Sequence, residues 1–347
     1  MREYAGVSTD WREPLLAGAT PLDVPVARRD PAQWPGYAPE PSVQALVLLG
    51  GAAVAASWDF SVQGGSYGED DAAVLAAAVD KAVELHVPLV TLVRSGGTRL
   101  QEGMAALVGI PRARFALARL AAAHLPHLSV ADAPTTGGVW ISIASVADLR
   151  VAVTGATVGF AGPRVVEAFT GELPGPDSHT AESALETGRV DEVLTREGAL
   201  RWLQGALRTW TPDPSPRAEK DGIAEAMGAA LDALLQCPSP TLALVHGEGG
   251  SGGALAAAAC DRMLVTDASY FAAIGPEGAT AALRRPREEC AERMRITPDD
   301  LLRMGFADAV AEPSDVPGHL AQLVALGREG RLGQRAARWS GPLPGHV

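Results

Sequence analysis

The chain has 347 residues, 47% of them hydrophobic and 20% charged, enough for one large domain or two ordinary ones around packed cores. Its 29 basic and 41 acidic residues leave a net charge of −12, which argues against general nucleic-acid binding, a role that needs a basic face. No apolar run is long enough to span a membrane, the N-terminus lacks a signal-peptide core, and three cysteines (Cys237, Cys260 and Cys290) without a CxxC pair suit neither structural zinc nor a disulfide scaffold, so a cytoplasmic protein with buried free thiols is expected.

Residues 1–41 are rich in proline and charge and show no periodicity, so they read as an extended arm. Val43 to Leu49 and Ala52 to Ser57 are two strands around Gly50-Gly51, a hairpin signal. An Ala-rich helix over Asp70 to Leu85 stops before Pro88. Leu89 to Val93 is a short buried strand that runs into Ser95-Gly96-Gly97. Leu100 to His124 is helical, in one piece or two. Leu128 to Ala131 is a strand, followed by Pro134-Thr135-Thr136-Gly137-Gly138 and a short helix to Val146. Leu149 to Val153 and Thr157 to Phe160 are further strands. Three prolines within 209–220 leave no apolar period, which marks a linker; a helix over 221–235 and a strand over Thr241 to Val245 follow. Strand, glycine turn and helix in alternation predict an α/β fold with helices covering a sheet.

The pattern occurs twice. His127 to Trp140 matches Thr241 to Leu255: apolar strand, small-residue loop, Gly-Gly, helix. Ala147-Asp148-Leu149-Arg150 matches Cys260-Asp261-Arg262, the segment from Gly159 to Arg164 matches that from Ala273 to Glu277, and Gly188 to Asp191 matches Gly305 to Asp308. These matches keep their order at an offset of about 115 residues. The first unit, 42–208, is complete; the second, 221–347, lacks the first half of the pattern.

A Gly-Gly pair after a strand lets the backbone turn sharply and leaves N–H groups open. A helix starting there adds its dipole, and two such N–H groups aimed at one point form an oxyanion hole. Gly96, Gly97, Gly137 and Gly138 are the candidates in the first unit, Gly252 and Gly253 in the second. GEGGSGGA lacks the lysine of a phosphate loop, and no GxGxxG stands before a suitably spaced acid, so nucleotide binding is not indicated. Neither GxSxG nor HExxH occurs, and no histidine is placed to activate Ser95 or Ser251. The arginine clusters Arg112, Arg114, Arg119 and Arg284, Arg285, Arg287 are either solvated helix faces or contacts for an anionic ligand such as coenzyme A.

SGGTRLQEG (Ser95 to Gly103), PTTGGV (Pro134 to Val139), GFAGPRVVE (Gly159 to Glu167) and Gly188-Arg189-Val190-Asp191 closely resemble the β subunit of acetyl-CoA carboxylase carboxyltransferase. HGEGGSGGALA (His246 to Ala256), Gly275 to Gly278, and Thr297 to Leu301 resemble its α subunit. The resemblance covers about residues 30–312 and implies two crotonase-like ββα-spiral units, the second truncated, in an expected homo-oligomer. It implies an acyl-CoA or acyl-carrier-protein thioester held by Gly96, Gly97, Gly137 and Gly138, with Gly252 and Gly253 serving carboxybiotin. By the same resemblance Ser95, Arg99, Thr136 and Arg164 would bind substrate, although Arg99 and Arg164 would equally lock their loops by ion pairs.

No MKM biotin-carrier motif occurs, so biotin would arrive on a separate carrier protein charged by a biotin carboxylase, with no cofactor bound covalently and no metal. The chain departs from the family in lacking the four-cysteine zinc module and, between Asp221 and Pro240, the glycine-containing strand-turn that completes the second oxyanion site. Three readings stay open: biotin-dependent carboxyl transfer, biotin-independent decarboxylation of a malonyl-type thioester, and a non-catalytic partner subunit.

Overall fold

The computed structural model describes residues 10–30, 32–175, 177–210 and 223–340, so the linker expected at 209–220 lies, beyond Trp210, outside the described residues. The N-terminal arm carries a helical turn, α1 (Glu13–Leu16), and a two-residue strand, β1 (Thr20–Pro21), paired antiparallel with β2 (Val43–Leu48). The expected hairpin joins β2 to β3 (Ala53–Trp58). Next come α2 (Glu69–Leu85), β4 (Leu89–Ser95), α3 (Met104–Ala122) and β5 (His127–Thr136). Three acidic residues in the first turn of α2 suit its dipole, and His86 in the left-handed region ends it.

β4 and β5 both outrun their sequence-expected ends at Val93 and Ala131. Pairing of Ser95 with Thr135, and of Thr135 and Thr136 with β7 (Val158–Gly159), supplies partners that local sequence does not reveal. Between them lie α4 (Gly137–Val139), continued as a π-helical turn to Ala144, and β6 (Leu149–Val153). α5 (Pro163–Thr170), α6 (Ala181–Glu186), β8 (Glu192–Leu194) and α7 (Arg196–Thr209) complete this half. The sheet runs β1-β2-β3-β4-β5-β6-β8, with β7 on β5, and every pairing from β3 to β8 is parallel.

The second half contains α8 (Ile223–Gln236), β9 (Leu242–Val245), β10 (Glu248–Gly250), α9 (Ser251–Ala258), β11 (Arg262–Val265) and β12 (Tyr270–Ala272). α10 (Pro276–Leu283), α11 (Arg287–Met294), α12 (Pro298–Arg303), β13 (Ala309–Val310), α13 (Val316–Ala325) and α14 (Gly327–Ser340) follow. Its parallel sheet has the order β13-β11-β9, and β10 pairs with β12.

The sequence repeat is a repeat of hydrogen bonds. The His127 N–H donates to the Asp148 carboxylate at 2.8 Å, and the Thr241 N–H donates to that of Asp261 at 2.8 Å. The Arg150 N–H donates to Asp191 at 2.7 Å, and the Met263 N–H donates to Asp308 at 2.7 Å. β9, β11 and β13 therefore stand in the register of β5, β6 and β8, and β10 with β12 reproduces the pairing of Thr135-Thr136 with β7. Among the described residues the second sheet has no counterpart of β3 or β4.

The arm is more than an extended tail. Leu15 is buried in the main core, and Trp34 is buried with Cys290, Met294 and Ile296 of the second half. The Arg293 guanidinium lies 5.3 Å from the Trp34 ring centre and donates to the carbonyls of Ala32 (3.1 Å) and Gln33 (2.7 Å). These apolar anchors stand singly among prolines and charges, which is why no period betrays them.

At the other end, Arg335 of α14 is 3% exposed and donates to Asp261 at 2.7 Å and to the carbonyls of Leu234, Leu235 and Cys237. Arg335→Met leaves the Asp261 carboxylate without its buried counter-charge, so a loss of about 3–5 kcal/mol is expected in denaturant unfolding.

Candidate active site

The loop after β4 is tied down at several points. The Gly96 N–H donates to the Gly64 carbonyl at 3.0 Å, and the Gly97 N–H donates to Ser95 Oγ at 3.1 Å. The Tyr67 N–H donates to the Gly97 carbonyl, and the Arg99 N–H donates to the Tyr67 carbonyl, each at 2.8 Å. This corrects the expectation that Gly96 and Gly97 offer open N–H groups: both already have acceptors. The Thr98 N–H, between them and Arg99, has no acceptor among the described residues.

Across from this loop, Gly137 opens α4 with φ +70°. A Cβ added to Gly137 would come 3.2 Å from Gly97 Cα and 3.9 Å from the Thr98 nitrogen. Only glycine permits that approach of two backbones. Gly138, in the first turn of α4, has an N–H with no intrahelical acceptor, and its Cα hydrogen faces Thr98 Oγ1 and Ile110. Thr98, whose N–H is without an acceptor among the described residues, and Gly138 thus line the same opening.

That opening is a cavity of about 770 Å³. Gly96, Gly97, Thr98, Thr136, Gly137 and Gly138 line one wall; Leu107, Ile110, Ile141 and Leu255 give it an apolar floor. Glu248, Gly250, Tyr270, Gly275 and Glu277 of the second half form the facing wall. Equivalent helices α5 and α10 pack together at its rim and contribute Val165, Ala168 and Ala282. Burial, then the neighbouring Glu248, pushes the Tyr270 hydroxyl pKa upward, so Tyr270 is a neutral donor at neutral pH.

The remaining candidates separate. Ser95 is buried beneath the loop and Thr136 lines the cavity. Arg164 is exposed on α5, while its neighbour Val165 faces the cavity. Gly253 does not line the cavity, whereas Gly250, one residue before α9, does. Gly252 occupies the position in α9 that Gly138 occupies in α4, each two residues past the N-cap. Arg114 pairs with Asp232, Arg119 with Asp80 and Arg287 with Glu277, which gives these members of the arginine clusters structural partners. Sequence reasoning missed Thr98, Glu248, Tyr270 and Glu277; the first lay inside a recognised motif, and the others needed the fold to face the glycines.

Arg99 does not reach the cavity and locks its loop instead. With no exposed side-chain surface, it contacts Asp71 at 2.8 Å and Glu102 at 3.1 Å and donates to the carbonyls of Glu40 and Ser66. Tyr37 donates to Glu102 at 2.5 Å, which ties the N-terminal arm to the same cluster. Burial pushes the Asp71 carboxyl from 3.8 up to about 6, against the pull of Arg99 and of the Gly68 and Val43 N–H groups.

Two families match the chain: Carboxyl transferase domain at residues 47–187, and acetyl co-enzyme A carboxylase carboxyltransferase-like at 208–324. The acetyl-coenzyme A carboxylase carboxyl transferase subunit beta 2 of Roseiflexus sp. (strain RS-1) is 41% identical over 162 residues, 47% of this chain and 54% of that protein, so the chain spans about half of that relative. The corresponding beta/alpha protein of Salinispora tropica is 28% identical over 414 positions that take in 78% of this chain and 73% of that one. Since 414 positions exceed the length of this chain, that relative has stretches with no counterpart here. The crystal structure of transcarboxylase 12S superposes with a TM-score of 0.53 at 17% identity, covering 91% of this chain and 88% of that one. A Pseudomonas malonate decarboxylase hetero-tetramer gives 0.50 at 24% identity over 59% and 82%. Both share the crotonase-type fold.

The Asp71 shift sets a pH dependence. Because folding raises this pKa, its contribution to stability is full below pH 3.8 and is lost as pH rises through about 6. Arg99→Met removes the opposing charge and lifts both carboxyl pKa values further. Its stability deficit in denaturant unfolding is therefore expected to grow from pH 4 to pH 7, reaching about 3–5 kcal/mol at the upper end.

Proposed function

The chain belongs to the carboxyltransferase family, and on that premise we propose that it moves a carboxyl group to or from an acyl-CoA thioester by way of an enolate. What supports this reading is that Thr98, with no acceptor for its N–H among the described residues, and Gly138, in the first turn of α4, line one cavity at the Gly97–Gly137 approach. As the α-carbon gains or loses its carboxyl group, negative charge develops on the thioester oxygen. Fixed N–H donors meet that charge without reorganising, and each is worth on the order of 3 kcal/mol of barrier. The apolar floor of Leu107, Ile110, Ile141 and Leu255 lowers the local polarity, which strengthens hydrogen bonds made above it. Gly96, Gly97 and Gly137 shape this site, Thr136 lines it, and Ser95 holds the Gly97 N–H in place.

Biotin on a separate carrier protein would supply the carboxyl group, with a biotin carboxylase as further partner. The residues present fit that end of the cavity in part. The N-terminus of α9 reaches it through Gly250, but no strand-turn of the described residues faces it as the Gly96-Gly97 loop faces α4; Gly252 and Gly253, in the first turn of α9, would serve the biotin end. In this reading 42–208 and 221–347 are the thioester and biotin units of a cytoplasmic homo-oligomer. Among the described residues no helix is long and apolar enough to cross a membrane.

The test incubates the purified chain with malonyl-CoA and methylmalonyl-CoA, with and without free biotin, and follows products by mass spectrometry. Acetyl-CoA and propionyl-CoA are expected to form only when biotin is present. Equal turnover without biotin would establish decarboxylation instead, and no turnover in either arm would favour a non-catalytic partner. Gly137→Ala places a methyl group 3.2 Å from Gly97 Cα and strains φ, so kcat is expected to fall about 100-fold in a protein that still folds.

A further inference from the structure

The two units share one register, so the first shows what belongs beside each strand of the second. β5 lies between β4 and β6, and Leu128, Ser129 and Val130 are at most 3% exposed. Their counterparts in β9, Leu242, Ala243 and Leu244, are half-exposed, and β9 has β11 on one side and no strand of the described residues on the other. The open edge can be read residue by residue. The Arg262 N–H donates to the Thr241 carbonyl and the Thr266 N–H to the Val245 carbonyl, so the backbone groups of Thr241, Ala243 and Val245 face β11. Those of Leu242 and Leu244 face away, towards the position that β4 fills beside β5.

We propose that this edge of β9 receives a parallel strand from a separate polypeptide, a strand of about five apolar residues that runs into a glycine turn. The stretch that precedes β9 is a poor internal supplier. From Trp210 to Leu242 the chain has only α8, the short Cys237–Thr241 connection and residues 211–222, where Pro212, Pro214 and Pro216 are incompatible with a central strand. A second copy is also a poor donor, because its β4 is buried between β3 and β5. The repeat specifies the glycine turn: β4 delivers the Gly96-Gly97 loop to the first turn of α4, and α9 holds the equivalent place beside β10. The incoming strand would set its turn against Gly252 and complete the second donor pair. This inference rests on the internal repeat and stands whether or not the proposed reaction is correct.

The probe is a synthetic peptide with the sequence of Pro88 to Thr98, the strand and turn that fill the equivalent position in the first unit. Hydrogen–deuterium exchange is read on the full chain, alone and with excess peptide. The open-edge amides of Leu242 and Leu244 are expected to exchange rapidly in the free chain and about tenfold more slowly with peptide, while His127 to Ala131 stay unchanged. Leu244→Pro removes an N–H on the open edge and leaves the ladder to β11, so it should abolish the slowing; Leu242→Pro serves if that variant does not fold. No slowing at saturating peptide, or slowing that survives both substitutions, overturns the proposal. So does protection of the Leu242 and Leu244 amides in the chain alone that rises with protein concentration, which would place a second copy on the edge.

Discussion

A single buried cation organises the site. Arg99 has no solvent contact, so its charge must be met by protein groups, and it draws Asp71 from the start of α2, Glu102 from the turn before α3 and the Glu40 carbonyl from the arm to one point. Tyr37 adds the segment ahead of the first sheet. Because Arg99 follows directly on Gly96-Gly97-Thr98, this cluster fixes where that loop can lie. The loop in turn fixes the Thr98 N–H against α4. Breaking the cluster would loosen a hydrogen-bond donor that itself carries no charge.

The close approach of Gly97 to Gly137 needs a core of matching character. Aromatic residues are 5% of the chain and alanine and glycine abound, so helices and loops draw near without large side chains between them. α2 and α3 pack together, and both carry buried alanines: Ala72, Ala78 and Ala82 in the first, Ala105, Ala113 and Ala116 in the second. Small residues also make the cavity possible: its donor wall is bare backbone, and its floor is aliphatic.

Much of this was legible in the sequence. The hairpin, the Ala-rich helix, the strands before each glycine pair and the repeat all follow from local pattern, because period and turn chemistry act over a few residues. The shortened second unit was legible too, since missing residues cannot be hidden. Which N–H groups stay open was not. That depends on the Gly64 carbonyl, brought from a loop some thirty residues earlier, and on Ser95 Oγ curling back under its own turn. The burial of Arg99 was equally hidden, because its partners come from three separate segments. The facing wall of Glu248, Tyr270 and Glu277 required two units to meet.

The arm has a further consequence for how the molecule is made. Ala32 and Gln33 accept hydrogen bonds from Arg293, about 260 positions later, and the Trp34 pocket consists of Cys290, Met294 and Ile296. During synthesis Trp34 leaves the ribosome well before the residues of its pocket, about 260 positions later, are translated. The segment around Trp34 must therefore wait for the second unit before it can dock, although β1 can already pair with β2 and Tyr37 with Glu102. Contacts of such long sequence separation form late and slowly. The contact between Trp34 and α11 is thus a closing step that follows the folding of what lies between.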